Sequence, residues 1–157
     1  MENKLGAYTL IPANNSYTKV IKRLVFEVLV EYGLKPGTID FCLDDVEKHY
    51  FERGGYFVVV LDENNQVVGT GGLYPLENGS LELRKMYLFS AHRGKGLGQW
   101  MLSILLEKAR ALGFKRIELD TASVLKEAIG LYKKNGFQVF ESDHIVARCD
   151  QAYELIL

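Results

Sequence analysis

A chain of 157 residues that is 48% hydrophobic and 25% charged can bury one substantial core, which excludes a disordered polypeptide. A formal net charge of -1 and an isoelectric point near 6.3 give no global pull toward nucleic acid. The start Met1-Glu2-Asn3-Lys4 has no apolar signal core and no run is long enough to span a bilayer, so the expectation is a cytoplasmic protein without a membrane partner.

In chain order, Tyr8-Thr9-Leu10-Ile11 reads as a first strand stopped by Pro12. From about Ser16 to Tyr32, the residues Val20, Ile21, Leu24, Phe26, Val28 and Leu29 give a mostly amphipathic helix, ended by Gly33 and Pro36. A second helix is expected to begin after Thr38 or Asp40, run through Val46 and Tyr50 and stop at Gly54-Gly55. Tyr56 to Leu61 is a strand of β-branched and aromatic residues, returned by the turn Asp62-Glu63-Asn64-Asn65 along 66–70. A further turn, Glu77-Asn78-Gly79-Ser80, leads into a strand over 81–88. After a glycine-rich turn come a helix ending near Leu112-Gly113, a strand over 115–120, a helix over about 125–134, and strands near 137–140 and 152–157. The order predicts a mixed α/β (α+β) fold, with a mostly antiparallel central sheet flanked by helices in one domain over 1–157.

The most informative stretch is His92-Arg93-Gly94-Lys95-Gly96-Leu97-Gly98, which runs into an amphipathic helix beginning Gln99-Trp100-Met101. Alternate glycines, two cations and a helix start bring backbone N–H groups and the positive end of a helix dipole to one point, and that suits a phosphate. A P-loop would need Ser or Thr after its Gly-Lys, whereas Lys95 is followed by Gly96. A dinucleotide fingerprint would need two residues between its last glycines, and Gly96-Leu97-Gly98 leaves one. Asp120 lies where a ribose-binding acid is expected, so dinucleotide binding stays open as a second reading. A turn that does no more than start a helix is the third. Cys42 and Cys149 have no C-x-x-C spacing and only His49, His92 and His144 to join them, so neither a metal site nor a disulfide is expected. Counting alone leaves a cysteine nucleophile open.

Arg93-x-x-Gly96-x-Gly98, between a strand and a long helix, resembles the acetyl-CoA-binding signature of the GNAT superfamily of N-acetyltransferases. The segment Ala128-Ile129-Gly130-Leu131-Tyr132-Lys133-Lys134-Asn135-Gly136-Phe137 resembles the later helix-and-turn motif of the same family, at the expected distance. The likeness covers roughly residues 56 to 140 closely and the first fifty only in their helix-rich character. It implies acetyl-CoA as acyl donor, its pyrophosphate on the N–H groups of Gly94, Lys95, Gly96, Leu97 and Gly98 beside Arg93. It gives the pantetheine arm to the backbone of Met86, Tyr87 and Leu88, with the Leu88 N–H polarising the thioester carbonyl.

On periodicity Leu125, Ala128, Ile129 and Tyr132 share one apolar helix face, and Tyr132 reads as a core aromatic. The resemblance instead gives Tyr132 the role of general acid toward the departing CoA thiolate. Glu82 resembles the position of a catalytic glutamate in several members; the bland reading is an exposed carboxylate paired with Arg84 or Lys85. Glu118, Asp120 and His144 are weaker candidates for the base. The chain departs from the family pattern at Leu125, where many members carry an asparagine that contacts the cofactor; either Ser123 or Thr121 replaces that contact or the contact is absent.

The resemblance thus implies an N-acetyltransferase acting on the primary amine of a small molecule by direct attack in a ternary complex. Tyr32, Phe41, Tyr50, Arg84, His144 and Arg148 are the acceptor-side candidates. Arg84 or Arg148 suits an anion, which favours an amino acid or another amine bearing a carboxylate. A peptide N-terminus or lysine, a non-catalytic acyl-CoA sensor, and a homodimer all stay open.

Overall fold

The strand Tyr56–Leu61 (β3) has no polar face, and the fold explains why. Alternate residues serve two cores: Phe57, Val59 and Leu61 pack in one, Tyr56, Val58 and Val60 in the other. A computed structural model of the chain describes residues 2–35, 42–142 and 149–157. Among these, eight strands form one sheet, adding Asn3–Leu5 (β1), Tyr8–Pro12 (β2), Val67–Pro75 (β4), Leu81–Leu88 (β5), Arg116–Thr121 (β6), Gln138–Val139 (β7) and Gln151–Ile156 (β8). Their order is β1-β2-β3-β4-β5-β6-β8-β7, and every pair is antiparallel except β5 with β6.

Helix Thr18–Glu31 (α1) covers one face through Ile21, Leu24, Val25, Val28 and Leu29. Helices Leu97–Ala111 (α2) and Lys126–Lys134 (α3) supply Met101, Leu102, Leu105, Ala109, Ile129 and Tyr132 to the core on the other. The sheet is therefore open, mostly antiparallel and covered on both sides, the class that the strand and helix pattern predicts. No helix of the described residues is long and apolar enough to cross a membrane.

Several boundaries differ from the sequence expectation. Strand β1, not foreseen, pairs with β2 across a turn in which Gly6 takes a left-handed φ of 58°. Pro12 ends β2 from within, opposite Val58, and the next free N–H, that of Ala13, donates to the Phe57 carbonyl. Helix α1 is entered through a short 3-10 turn, Asn15–Tyr17. The second helix is, in its described part, a 3-10 turn at 42–44 followed by a π-helical turn over Glu47–Phe51; its expected start at Thr38 or Asp40, and Pro36, lie outside the described residues. Strand β4 runs five residues past Thr70 because Gly71 and Gly72 belong to it. A Cβ on Gly72 would sit 2.9 Å from both the Phe57 and Tyr50 rings, so the glycine makes room for two aromatics. Strand β7 is only two residues long where four were expected.

Two irregularities in β5 open the sheet beside it. Lys85 sits in the left-handed region at φ 56°, the β4–β5 register shifts between Thr70 and Gly72, and the Thr70 hydroxyl donates to the Lys85 carbonyl at 2.7 Å. On its other edge β5 pairs with β6 only at Leu81↔Ile117 and Glu82↔Glu118. Beyond Glu82 that edge is open, and a cleft begins there.

Candidate active site

The cleft has a volume of about 240 Å³ and is walled by residues 82–88 of β5, the glycine turn with the first turn of α2, the end of β6, α3, and Val28, Tyr32 and Leu34 around the end of α1. Met86, Tyr87, Leu88, Arg93, Gly94, Gly96, Leu97, Gly98, Glu82 and Tyr132 all line it, so most residues singled out by sequence are brought together.

Gly94 and Gly96 hold φ values of 77° and 80°, a left-handed conformation that costs an L residue about 1–2 kcal/mol. Space around both is open, so glycine is required here by backbone conformation and not by a protein neighbour. The result is a run of exposed donors: among the described residues no acceptor meets the N–H groups of Gly94, Lys95, Gly96, Leu97 or Gly98. The first intrahelical bond of α2 runs from the Trp100 N–H to the Gly96 carbonyl. The unmatched donors thus stand at a helix N-terminus, where the dipole adds positive potential. Gly98 is different, being inside the helix, where a Cβ would come 3.4 Å from Leu131.

The two cations of the turn do not point at this cradle. Arg93 donates to the Leu88 carbonyl through Nε (3.1 Å) and Nη2 (2.8 Å), and to Glu31 and the Tyr32 hydroxyl at the end of α1. Burial disfavours its charge, but Glu31 and Tyr32 outweigh that and raise its pKa. Lys95 does not line the cleft; its Nζ donates to the Tyr8 hydroxyl at 3.2 Å. The side chains of Arg93 and Lys95 are thus engaged by protein groups, and the donors left without a partner in the turn are those of the backbone.

Tyr132 is 7% exposed, its ring 5.6 Å from that of Phe137, and it lines the cleft. It is thus both the core aromatic that periodicity predicts and a cleft residue. Burial, then the Tyr87 phenol and the Cys149 thiol, push its pKa well above the usual tyrosine value. The phenol stays protonated throughout the neutral range.

Glu82 is buried, not exposed, and is ion-paired with Arg84. The guanidinium lies 3.7 Å from the centroid of the Tyr74 ring. Burial opposes the Arg84 charge, while Glu82, Tyr50 and Tyr74 more than restore it. Glu118 is buried too and pairs with Arg116 and lies outside the cleft wall. Tyr50 packs against Phe57 and Tyr74 in the core and does not line the cleft, whereas Tyr32 does. Phe41, His144 and Arg148 lie outside the described residues.

Leu125 faces the cleft just before α3 and supplies no side-chain cap. Of its two replacements, Thr121 lines the cleft, while Ser123 donates through its N–H and hydroxyl to Asp150 at 2.8 and 2.7 Å. Asp120 also lines the cleft, and β5, α2 and β6 form a parallel strand–helix–strand unit with the glycine turn at its bend. That unit explains why the turn shares features with a dinucleotide site. Among the described residues no group of three or more His, Cys, Asp or Glu is placed to hold a metal ion.

Comparison with known proteins agrees with this geometry. The family model described as Acetyltransferase (GNAT) family matches residues 25–137. The uncharacterized N-acetyltransferase YjgM of Escherichia coli K12 is 42% identical over 125 residues, covering 75% of this chain and 74% of that protein. Human N-acetyltransferase 8B is 30% identical over 149 residues, covering 85% of this chain but only 64% of the human protein. Among solved structures, a GNAT-family acetyltransferase of Staphylococcus aureus Mu50 superposes with a TM-score of 0.88 at 24% identity, over 94% of this chain and 98% of that one.

Proposed function

Since the chain belongs to the GNAT acetyltransferase family and is an acetyl-CoA-dependent N-acyltransferase, we propose that it acetylates the primary amine of a small, carboxylate-bearing molecule by direct attack in a ternary complex. The observation that carries this reading is the cleft itself, which Gly94, Gly96, Leu97 and Gly98 with their unmatched N–H groups, the buried Tyr132 and the Glu82–Arg84 pair all line. We read residues 1–157 as one such domain. We read the setting as cytoplasmic, where cysteines without C-x-x-C spacing are expected to stay reduced.

The residues fit acetyl-CoA. A pyrophosphate needs several donors converging without side-chain obstruction, and the left-handed Gly94 and Gly96 expose such donors at the start of α2. In this reading Gly94, Lys95, Gly96, Leu97 and Gly98 hold the pyrophosphate by their backbone, and Arg93 acts by bracing the turn. The open edge of β5 at Met86, Tyr87 and Leu88 offers backbone groups to the pantetheine amides. Bound there, acetyl-CoA supplies an acyl group already activated as a thioester.

The chain's own residues do the rest. The Leu88 N–H is the donor assigned to the developing negative charge on the carbonyl oxygen, a role worth a few kcal/mol in a preorganised site. Tyr132 holds a proton on its hydroxyl for the leaving sulfur, and its raised pKa keeps that proton in place at neutral pH. Glu82 is the assigned base for the attacking amine, directly or through water.

The Glu82–Arg84 pair also supports the acceptor class. Anion and cation held side by side at the base of the cleft match an amino acid, whose carboxylate suits Arg84 while its ammonium, before losing a proton, suits Glu82. A panel of amines assayed with acetyl-CoA for thiol release tests this directly. Release with amino acids, and little with the corresponding decarboxylated amines, is expected. Equal rates with both would remove the carboxylate from the proposal, release only with peptides would replace the acceptor class, and CoA binding without release would leave a sensor.

A further inference from the structure

Glu31 stands in the last turn of α1, where the helix dipole disfavours a carboxylate and where no basic residue of the same turn offsets it. Its partner comes from 62 residues away: Arg93 donates Nη1 to Oε2 at 2.6 Å and Nη2 to Oε1 at 3.1 Å, a two-point clasp. The neighbouring Tyr32 hydroxyl accepts from the same Nη1 at 3.1 Å, and the guanidinium lies 5.3 Å from the Tyr32 ring centroid. With its remaining reach Arg93 donates twice to the Leu88 carbonyl. The next N–H, of Phe89, donates to the Val68 carbonyl at 3.0 Å, so the peptide unit at the end of β5 is fixed at both its oxygen and its nitrogen. One guanidinium therefore joins three things: the end of α1, the last peptide of β5 and the start of the glycine turn.

From this we infer that Glu31, seconded by Tyr32, is a positioning residue for the acyl donor, acting through Arg93; the inference rests on the reading of the glycine turn as the CoA cradle. Arg93 immediately precedes Gly94, so its orientation sets where the run of free N–H groups begins. A flexible arginine on a turn with two left-handed glycines would be a poor anchor alone. A two-point carboxylate from a packed helix removes its rotational freedom and leaves both ends of the cradle in fixed relation. A carboxylate placed against the helix dipole is explained by this task and not by helix stability.

The experiment is calorimetric titration of the whole chain with CoA, alongside its melting temperature and the KM values for acetyl-CoA and for an accepted amine, in wild type, Glu31→Ala, Glu31→Gln and Tyr32→Phe. Glu31→Ala is expected to weaken CoA binding about tenfold and raise KM for acetyl-CoA in step, with KM for the amine unchanged. Glu31→Gln keeps one acceptor for Arg93 and should recover part of the loss, Tyr32→Phe should lose least, and the melting temperature should not follow this order. Should Glu31→Ala fail to fold, the isosteric Glu31→Gln still decides the matter. Unchanged CoA affinity in folded Glu31 variants, or losses that track melting temperature alone, would overturn the inference while the cradle reading stands. Absence of CoA binding by the wild type would overturn both.

Discussion

The turn and first residues of α2 meet the cleft with backbone N–H groups, whereas the first half of β5 meets it with side chains, chiefly the Glu82–Arg84 pair. The first surface depends on conformation: two left-handed glycines and a helix start, with its flanking cations turned elsewhere. The second depends on identity, since a buried carboxylate and guanidinium must each be present for the other to be tolerated. A backbone surface recognises what all acyl donors of one class share. A side-chain surface can be changed residue by residue, and is where acceptor choice resides in our proposal.

Tyr132 belongs to neither surface and gives the largest expected effect. Tyr132→Phe keeps the ring against Phe137 and should lower kcat by roughly 10²- to 10⁴-fold while leaving CoA affinity near wild type. The linkage gives an independent signature. Burial raises the pKa values of both Tyr50 and Tyr132 above the unfolded value of 10.0, so the stability tied to these phenols is intact below about pH 10 and is lost as pH rises beyond it. Tyr132→Phe removes one of the two and should flatten that alkaline loss. Wild-type turnover with every accepted amine would reduce Tyr132 to a core residue.

The same contrast decides what can be read without coordinates. Glycine spacing, the helix it starts and the Tyr132 motif are local, so the donor surface and the helix α3 face are legible in the sequence. The Arg93–Glu31 clasp is not, because nothing near Arg93 signals a carboxylate 62 positions earlier. Nor is the burial of Glu82, since an alternating strand looks the same whether its charged face meets water or a neighbouring Arg84. Strand β4 reads short because Gly71 and Gly72 look like a turn until the Tyr50 and Phe57 rings are seen above the gap. Strand β1 has no hydrophobic alternation to announce it and exists by pairing with β2. Local chemistry is written locally, and pairing is not.

Glu82→Gln tests the side-chain surface and should give the next largest effect, about 10²-fold in kcat/KM at low pH with partial recovery as pH rises and more amine is free. It also leaves Arg84 charged and buried without its counter-ion, the side chains being 13% and 7% exposed, so stability should fall by about 3 kcal/mol. A rate-against-pH profile and a urea titration on the same preparation separate the two consequences. Loss of stability with an unshifted profile would make Glu82 a structural partner of Arg84 and move the base elsewhere.

The backbone surface is sharpened by substituting its two kinds of glycine with the same residue. At Gly96, with φ 80°, alanine must either adopt the left-handed conformation, at about 1–2 kcal/mol, or relax the turn and misdirect its N–H groups. The first course lowers the melting temperature with the cradle intact; the second weakens CoA binding, by about tenfold if the full strain is relieved through the turn. At Gly98, inside α2 with ordinary helical geometry, alanine introduces no backbone strain, and its Cβ meets Leu131 at 3.4 Å, an ordinary contact. Helix propensity favours that change by up to about 1 kcal/mol, so Gly98→Ala should melt at or above wild type and bind CoA within about twofold. The pair therefore separates conformation from crowding. Were Gly98→Ala to lose affinity as heavily as Gly96→Ala, the surface would be recognising its ligand by close approach at every glycine, and the left-handed turn would not be what sets the cradle.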